Sequence, residues 1–350
     1  MHCAILINRH AGTIASRGPR AVVESLRRQI DAEGATAEIR LLHPASMSDA
    51  LEAARDDEYF DAVIVGGGDG TISFAAGLFV DSGKTLGILP LGTMNLFARS
   101  LRIPIDIDRA LTALLAAEPA AVDLCSVNDR IFTHHVALGL HPTILRARES
   151  MTYRGRLGKI WASLRAFFRT LRRPPTLRVA TTIDGVVSRW RTNTLIVSNN
   201  SFIEGLGHLP YAANPQGGTL AIYIATSRNR RDLLRLSSSV AMGSWVNNPL
   251  LESHITEEVE IVLRRRKHVL ASVDGELIGL ASPLRIVCRQ GALITLMPES
   301  ANGKSHSQEP PDDALPLALP IAPLPAPSQA IRDAEDSHGG KSWLPPALRR

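Results

Sequence analysis

Two glycine-bearing blocks about twenty residues apart, Val65-Gly-Gly-Gly-Asp-Gly-Thr71 and Leu89-Pro-Leu-Gly-Thr-Met-Asn95, restrict what this chain can fold into more than any other feature. Each follows a short apolar run, Ala62 to Val65 and Leu86 to Leu89, and so reads as a loop leaving the carboxyl end of a buried strand. Open α/β sheets bind ligands at that edge. Gly66, Gly67, Gly68 and Gly70 carry no Cβ, so backbone N–H groups can close around phosphate oxygens while Thr71 enters the next helix. The pattern suits a nucleotide.

The segments around these loops alternate. Cys3–Asn8 and Thr36–Leu41 read as strands, and Arg20–Glu33, Met47–Asp56 and Ile107–Ala117 as helices, the last capped by Asp106 or Asp108. Such alternation predicts a parallel sheet covered by helices. After Asp123 the texture turns β-rich. Asp184-Gly185 and Asp274-Gly275 each sit between apolar runs as tight hairpins. Further strands are expected at Thr194–Val197, Thr219–Ala225, Glu258–Leu263, Leu284–Cys288 and Ala292–Met297, with a helix over Arg231–Met242. Nine of the 22 prolines fall after residue 300, which favours an extended, mobile tail. The expected division is an α/β domain over 1–123, a mainly antiparallel β domain over 124–299 and a proline-rich tail over 300–350.

Composition narrows the partners. With 350 residues, 45% of them apolar, the chain can bury two cores. Three widely spaced cysteines argue against a disulfide framework and fit a reducing, cytoplasmic setting. No run approaches a membrane span, so any membrane attachment is expected to be peripheral, on the inner face. The net charge of +5 divides into +6 on the first 300 residues and −1 on the last fifty, which carry five cations and six acids. Partners of the folded part are therefore anionic: phosphorylated nucleotides or anionic lipid surfaces. Nucleic acid is not expected, since no aromatic-basic strand motif occurs.

Several look-alikes fail. Gly77 to Gly83-Lys84-Thr85 has one residue too many for a P-loop and leads into a strand. The dinucleotide fingerprint lacks its third glycine, with Thr71 or Ser73 in that place. His134, His135 and His141 suggest a metal, but adjacent histidines on a strand are expected to face opposite sides.

Read together, Gly67-Gly-Asp-Gly-Thr71 and Pro90-Leu-Gly-Thr-Met-Asn-Leu-Phe-Ala-Arg99 make the chain resemble the diacylglycerol kinase catalytic family, which includes bacterial soluble lipid kinases and is related to sphingosine kinases. Asn8-Arg-His-Ala-Gly12, Val122-Asp-Leu124 and Val273-Asp-Gly-Glu276 follow in the expected order, and the likeness covers about residues 3 to 298. The resemblance implies an ATP-binding α/β domain similar to phosphofructokinases and NAD kinase, with a β-sandwich completing a cleft for a lipid substrate. It implies that ATP is held by the early loop, Asn8, Arg9, His10, Ala11 and Gly12, by Gly67, Gly68, Asp69, Gly70 and Thr71, and by Gly92, Thr93 and Asn95. Glu276 is implied as the general base. Departures are Arg9 for a common proline, Ser73-Phe74 for Asn-Glu, Leu96 for aspartate, and Pro215-Gln-Gly-Gly-Thr219, where Gln216 and Gly217 leave no carboxylate for a structural magnesium beside Asp123.

Asp69 has two functional readings, holding the magnesium that bridges ATP phosphates or positioning the hydroxyl nucleophile, against a plain turn aspartate. Asn95 either meets the ligand or caps the next helix. Asp184-Gly185 shows that a D-G turn alone needs no chemistry, so Asp274 is expected to shape its turn. Glu276 stands on a stretch apolar enough to raise its pKa in a closed cleft. Over 157–173, Leu157, Ile160, Trp161, Leu164, Phe167, Phe168 and Leu171 fall within an arc of about 120°, edged by Lys159, Arg165, Arg169, Arg172 and Arg173. This stripe suits either an anionic membrane surface or packing on the β domain. The expected activity is transfer of the γ-phosphoryl of ATP to the hydroxyl of diacylglycerol or a related lipid. The alternatives are an NAD kinase-like phosphotransferase and a non-catalytic, nucleotide-dependent lipid-binding regulator.

Overall fold

Runs of aliphatic residues without polar alternation form the centre of the first sheet. The strands β1 (His2–Asn8), β3 (Ala62–Gly67) and β4 (Thr85–Pro90) are buried almost throughout, as expected of parallel strands covered on both faces, while β2 (Thr36–Leu42) lies at the edge. The computed structural model describes residues 1–149, 165–203, 211–227, 229–245 and 248–298. The tail after residue 300 lies outside them.

The helices between these strands are α1 (Gly12–Arg17), α2 (Pro19–Ala32), α3 (Met47–Asp56), α4 (Asp69–Phe79), α5 (Leu96–Ser100) and α6 (Ile107–Leu115). Asp106 caps α6, its side chain accepting from the N–H groups of Asp108 and Arg109. The parallel strands run in the order β2-β1-β3-β4. The chain therefore crosses from one side of β1 to the other, which opens a crevice at the carboxyl ends of β1 and β3.

The second half supplies β5 (Glu118–Val127), β6 (Arg130–Phe132), β7 (His135–Gly139), α7 (Leu140–Glu149) and a helix α8 described over 165–172. It continues with β8 (Leu177–Ile183), β9 (Val186–Thr192), β10 (Thr194–Asn199), β11 (Leu220–Ala225) and α9 (Arg230–Ala241). Last come β12 (Leu251–Thr256), β13 (Glu258–Leu263), β14 (His268–Val273), β15 (Glu276–Ala281) and β16 (Leu284–Met297). A six-stranded antiparallel sheet runs β12-β11-β10-β7-β14-β15. It packs face to face on β5, β13, β8 and β16 of the first sheet. Val136, Leu195 and Ile222 from one side meet Val127, Ile261 and Ile286 from the other in a single sandwich core.

The two halves share a strand. Leu284–Cys288 and Ala292–Met297, expected as separate strands, are one strand with a bulge. Gly291 takes the left-handed conformation, and the register against β5 shifts between Arg289 and Leu293. Past the bulge, β16 runs beside β4, and the first sheet continues through it to β13, β8 and β9. The parallel sheet is thus mixed, extended by antiparallel strands from the second half. Leu293, Leu296 and Met297 lie in the core of the α/β half, and Leu284 and Ile286 in that of the sandwich.

Candidate functional site

Three loops meet at the carboxyl edge of β1, β3 and β4. The first is pinned by Asn8, whose Oδ1 accepts from His10 N–H at 2.9 Å and whose Nδ2 donates to Thr71 Oγ1 at 3.0 Å. The other two touch through their backbones. A Cβ on Gly92 would lie 2.6 Å from Gly68 Cα, a distance no side chain tolerates. Leu91 N–H donates to Gly67 carbonyl oxygen and Leu91 carbonyl oxygen accepts from Thr13 N–H, so all three loops are stitched together.

α4 begins in this crevice. Gly68 is its N-cap and supplies no side-chain hydrogen bond, which leaves the first backbone N–H groups of the helix to meet an anion. Gly70 and Thr93 are exposed, Gly68, Asp69, Thr71 and Gly92 half-buried, and Gly12 and His10 exposed at the mouth. Ala11 is buried under the first loop. Arg9 Nη1 meets His43 Nε2 at 2.6 Å, and the His10 ring stacks edge-on to His43. His43 follows β2 and carries no motif, so nothing in its neighbourhood of the sequence marks it.

Asp69 ties two loops. Its Oδ2 accepts from Asn95 N–H at 3.0 Å and its Oδ1 from Leu96 N–H at 2.6 Å, holding the start of α5 against the start of α4. Asn95 is buried in the left-handed conformation, its Oδ1 accepting from Gly92 N–H and its Nδ2 donating to Gly92 carbonyl oxygen. The side chain of Asn95 therefore closes its own loop and gives α5 no side-chain cap bond. Asp69 offers no protein cage for magnesium; it is a lone carboxylate, which suits an ion whose other ligands would be phosphates and water. Both carboxylate oxygens are engaged by amides, and among the described residues no group of three His, Cys, Asp or Glu side chains converges to hold a metal.

The sandwich reaches the crevice through the turn between β14 and β15. Asp274 and Gly275 both have positive φ, as the hairpin demands. Asp274 does more than shape the turn. Its Oδ1 accepts from the N–H groups of His134 and His135, and its Oδ2 from Thr133 N–H and Oγ1 and, at 2.6 Å, from Ser73 Oγ on α4. This one carboxylate joins the turn, the start of β7 and the α/β half. Glu276 then stands over the glycine loop: a Cβ on Gly70 would lie 3.2 Å from its Oε1. Arg130, on β6, donates to Oε2 at 2.8 Å. The apolar enclosure expected around Glu276 is absent, since its side chain is 56% exposed and ion-paired.

The histidines also differ from expectation. His134 precedes β7 instead of lying on it, so its ring folds beside that of His135, the two Nδ1 atoms 2.6 Å apart and the His141 ring 5.3 Å from that of His135. Packing, then His134, pushes the His135 pKa down to about 3, which keeps its ring neutral. Lys84 of the rejected P-loop donates to the carbonyl oxygens of Asp57 and Phe60. Beside the altered 215–219 segment, Asp123 is buried, and its two oxygens accept from Gly218 N–H at 2.6 Å and Gly291 N–H at 2.9 Å. Direct backbone contacts thus close this loop on Asp123. A cavity of about 480 Å³ opens beside Asn229, Arg230 and Arg231, none of which belongs to the three loops.

Fold and crevice together define a two-domain protein: a nucleotide-type α/β half with an uncapped helix start, and a β-sandwich that presents a carboxylate to it. Residues 2–127 match the family profile described as the diacylglycerol kinase catalytic domain, and residues 135–297 that of the YegS C-terminal NAD kinase beta sandwich-like domain. The chain belongs to the diacylglycerol kinase catalytic family. It is similar to a diacylglycerol kinase of Bacillus subtilis, 27% identical over 242 residues covering 66% of this chain and 77% of that one. A protein of Yersinia enterocolitica named "Probable lipid kinase YegS-like" is 42% identical over 83 residues, 23% of this chain. The chain spans less than two thirds of the length of several such relatives, 28% of the Yersinia protein and 38% of its Pectobacterium atrosepticum counterpart. Among solved structures, a diacylglycerol kinase of Bacillus anthracis superposes with a TM-score of 0.65 at 21% identity, over 85% of this chain and 98% of that one. That likeness bears on the fold alone.

Proposed function

We propose that this protein is an ATP-dependent lipid kinase, transferring the γ-phosphoryl of ATP to the hydroxyl of diacylglycerol or a related lipid. The observation that carries this reading is the carboxylate of Glu276 held over Gly70, at the tip of the loop that opens α4. The N–H groups at the start of α4, with Thr71, Thr93 and the early loop, receive the phosphates. Arg9 lies exposed at the mouth of the same crevice, where its cation meets the triphosphate, with His10 beside it. Arg130 occupies Oε2, so Oε1, the oxygen beside Gly70, accepts the proton of the lipid hydroxyl. The lipid oxygen bonds to the γ-phosphorus, the bond from that phosphorus to the β–γ bridging oxygen breaks, and ADP leaves with the bridging electrons. Magnesium, travelling with ATP, neutralises phosphate charge when bound. Asp69 acts on the reaction by keeping the two phosphate loops together. A lipid acceptor resides in a bilayer, so the enzyme works at a membrane surface. Among the described residues no helix is long and apolar enough to cross one.

Glu276→Gln tests the reading. Turnover of labelled ATP with a lipid extract should fall by about two orders of magnitude or more, the lower range for loss of a general base. Binding of a fluorescent ATP analogue should stay within about twofold, since the amide keeps the side chain's shape. Near-normal turnover in the variant would remove Glu276 as the base. An NAD kinase reading draws on the family description of the sandwich, and NAD offered in place of the extract decides between the two acceptors by which product carries label.

A further inference from the structure

The 157–173 stripe does not face outward as a unit. Residues 150–164, with Leu157, Lys159, Ile160, Trp161 and Leu164, lie outside the described residues. Of the remainder, Leu171 and Phe167 turn inward and pack with Leu140, Ile144 and Leu233 in a small core shared by α7, α8 and α9. Phe168 points the other way and is 53% exposed, with Arg165, Arg169 and Arg172 exposed around it. Arg230 at the start of α9 donates to the carbonyl oxygen of Arg172 and ties the two helices together.

The outer face of α9 repeats this chemistry. Arg231, Leu234, Arg235, Ser238 and Met242 are spaced to share one side of a helix, and all are exposed, Leu234 at 43% and Met242 at 56%. Across 165–173 and 229–242 the exposed cations are seven arginines, and Asp232 is the single acid. Exposed apolar side chains are ordinary when they stand singly; their setting among seven arginines and one acid is what marks this surface. Isolated apolar side chains between arginines match a bilayer of anionic lipids. The apolar groups enter the acyl boundary while the guanidinium groups reach the phosphates.

We propose that the outer faces of α8 and α9 form a docking surface for an anionic lipid bilayer. This rests on the lipid-kinase reading for its biological sense, since a lipid acceptor lies in a bilayer. The test is flotation of the full chain with vesicles of phosphatidylcholine alone and of phosphatidylcholine mixed in equal parts with phosphatidylglycerol. The unaltered protein should bind the anionic vesicles at least about tenfold more tightly, and Arg231→Glu/Arg235→Glu should lose about twentyfold or more, at about fivefold for each cation near an anionic surface. Leu234→Ser/Met242→Ser, a pair that keeps the charge, should lose affinity several-fold, while Arg40→Glu on β2 should bind like the parent. Phosphorylation of detergent-dispersed diacylglycerol should be unchanged in all three. Equal binding to both vesicle types, or parental binding by both altered pairs, overturns the proposal. So does binding to heparin without binding to anionic vesicles, which would assign the surface to an acidic polymer. Failure of the unaltered protein to phosphorylate dispersed lipid speaks against the kinase reading and leaves the vesicle result to decide the surface.

Discussion

Asp184 and Asp274 occupy the same position in the same kind of turn, each with positive φ before a glycine of positive φ, yet their side chains do different work. Asp184 accepts one hydrogen bond from Thr256 Oγ1, whereas Asp274 accepts from Thr133, His134, His135 and Ser73. Of these four partners of Asp274, Ser73 is the one on the α/β half. Losing it removes a neutral-to-charged contact worth about 1.5–3 kcal/mol and lets the turn that carries Glu276 drift from Gly70. We expect Ser73→Ala to lower kcat about three- to tenfold, with KM for ATP within about twofold and Ser73→Thr restoring most of the loss, as for a residue acting only on alignment. Steady-state kinetics of the three proteins decide it, and an unchanged kcat in the alanine variant removes Ser73 from the alignment of the base. Glu276 was legible through its motif. Ser73 was visible only as a departure from the family pattern, and Arg130 not at all, because its partner lies 146 residues away and only the β5–β6 hairpin brings it there.

Helices and hairpins were legible where local chemistry dictates them, as in Met47–Asp56 and the two D-G turns, and less so where a neighbour decides. Gln290-Gly291 reads as a break between strands, but β5 pairs on both sides of it and Asp123 accepts Gly291 N–H, so the break becomes a bulge. β7 and β12 are short, and their pairing to β10 and β11 owes more to the sheet than to their own pattern. The paired glycine loops allow a sharper experiment. A Cβ on Gly92 would meet Gly68 Cα at 2.6 Å and Asn95 Oδ1 at 2.8 Å, so the loops must separate; a Cβ on Gly68 would meet Gly92 Cα at an ordinary 3.4 Å. In thermal melts without nucleotide, Gly92→Ala should lower Tm by about 2–4 °C per kcal/mol of strain while Gly68→Ala leaves it nearly unchanged. ATP affinity of Gly92→Ala should fall at least about tenfold, a change worth roughly 1.4 kcal/mol. Equal melting of the two variants would show that the loops do not depend on this contact.

Two domains read from sequence invite the expectation of two independent folding units, but the molecule is cross-linked by its own sheet. β16 contributes Leu293 and Leu296 to one core and Leu284 and Ile286 to the other, and β5 pairs with it along both halves. Thr295 Oγ1, buried, donates to Leu86 carbonyl oxygen on β4. This sharing is hidden from a linear reading, because composition changes near Asp123 while the strand that joins the halves arrives only at Leu284–Met297. Unfolding one half would strip β16 and β5 of half their partners and expose apolar surface in the other, at about 25 cal/mol for each Å² uncovered. The halves should therefore melt as one. Differential scanning calorimetry of the unliganded protein should give a single transition with equal calorimetric and van't Hoff enthalpies. Leu293→Ala and Leu284→Ala, both fully buried and on opposite sides of the bulge, should each cost about 2–5 kcal/mol and shift that whole transition downward without splitting it. Two resolved transitions, each moved by only one of the substitutions, would mean that the shared strand does not couple the halves and that Glu276 is brought to the glycine loop by the local bonds of Asp274 alone.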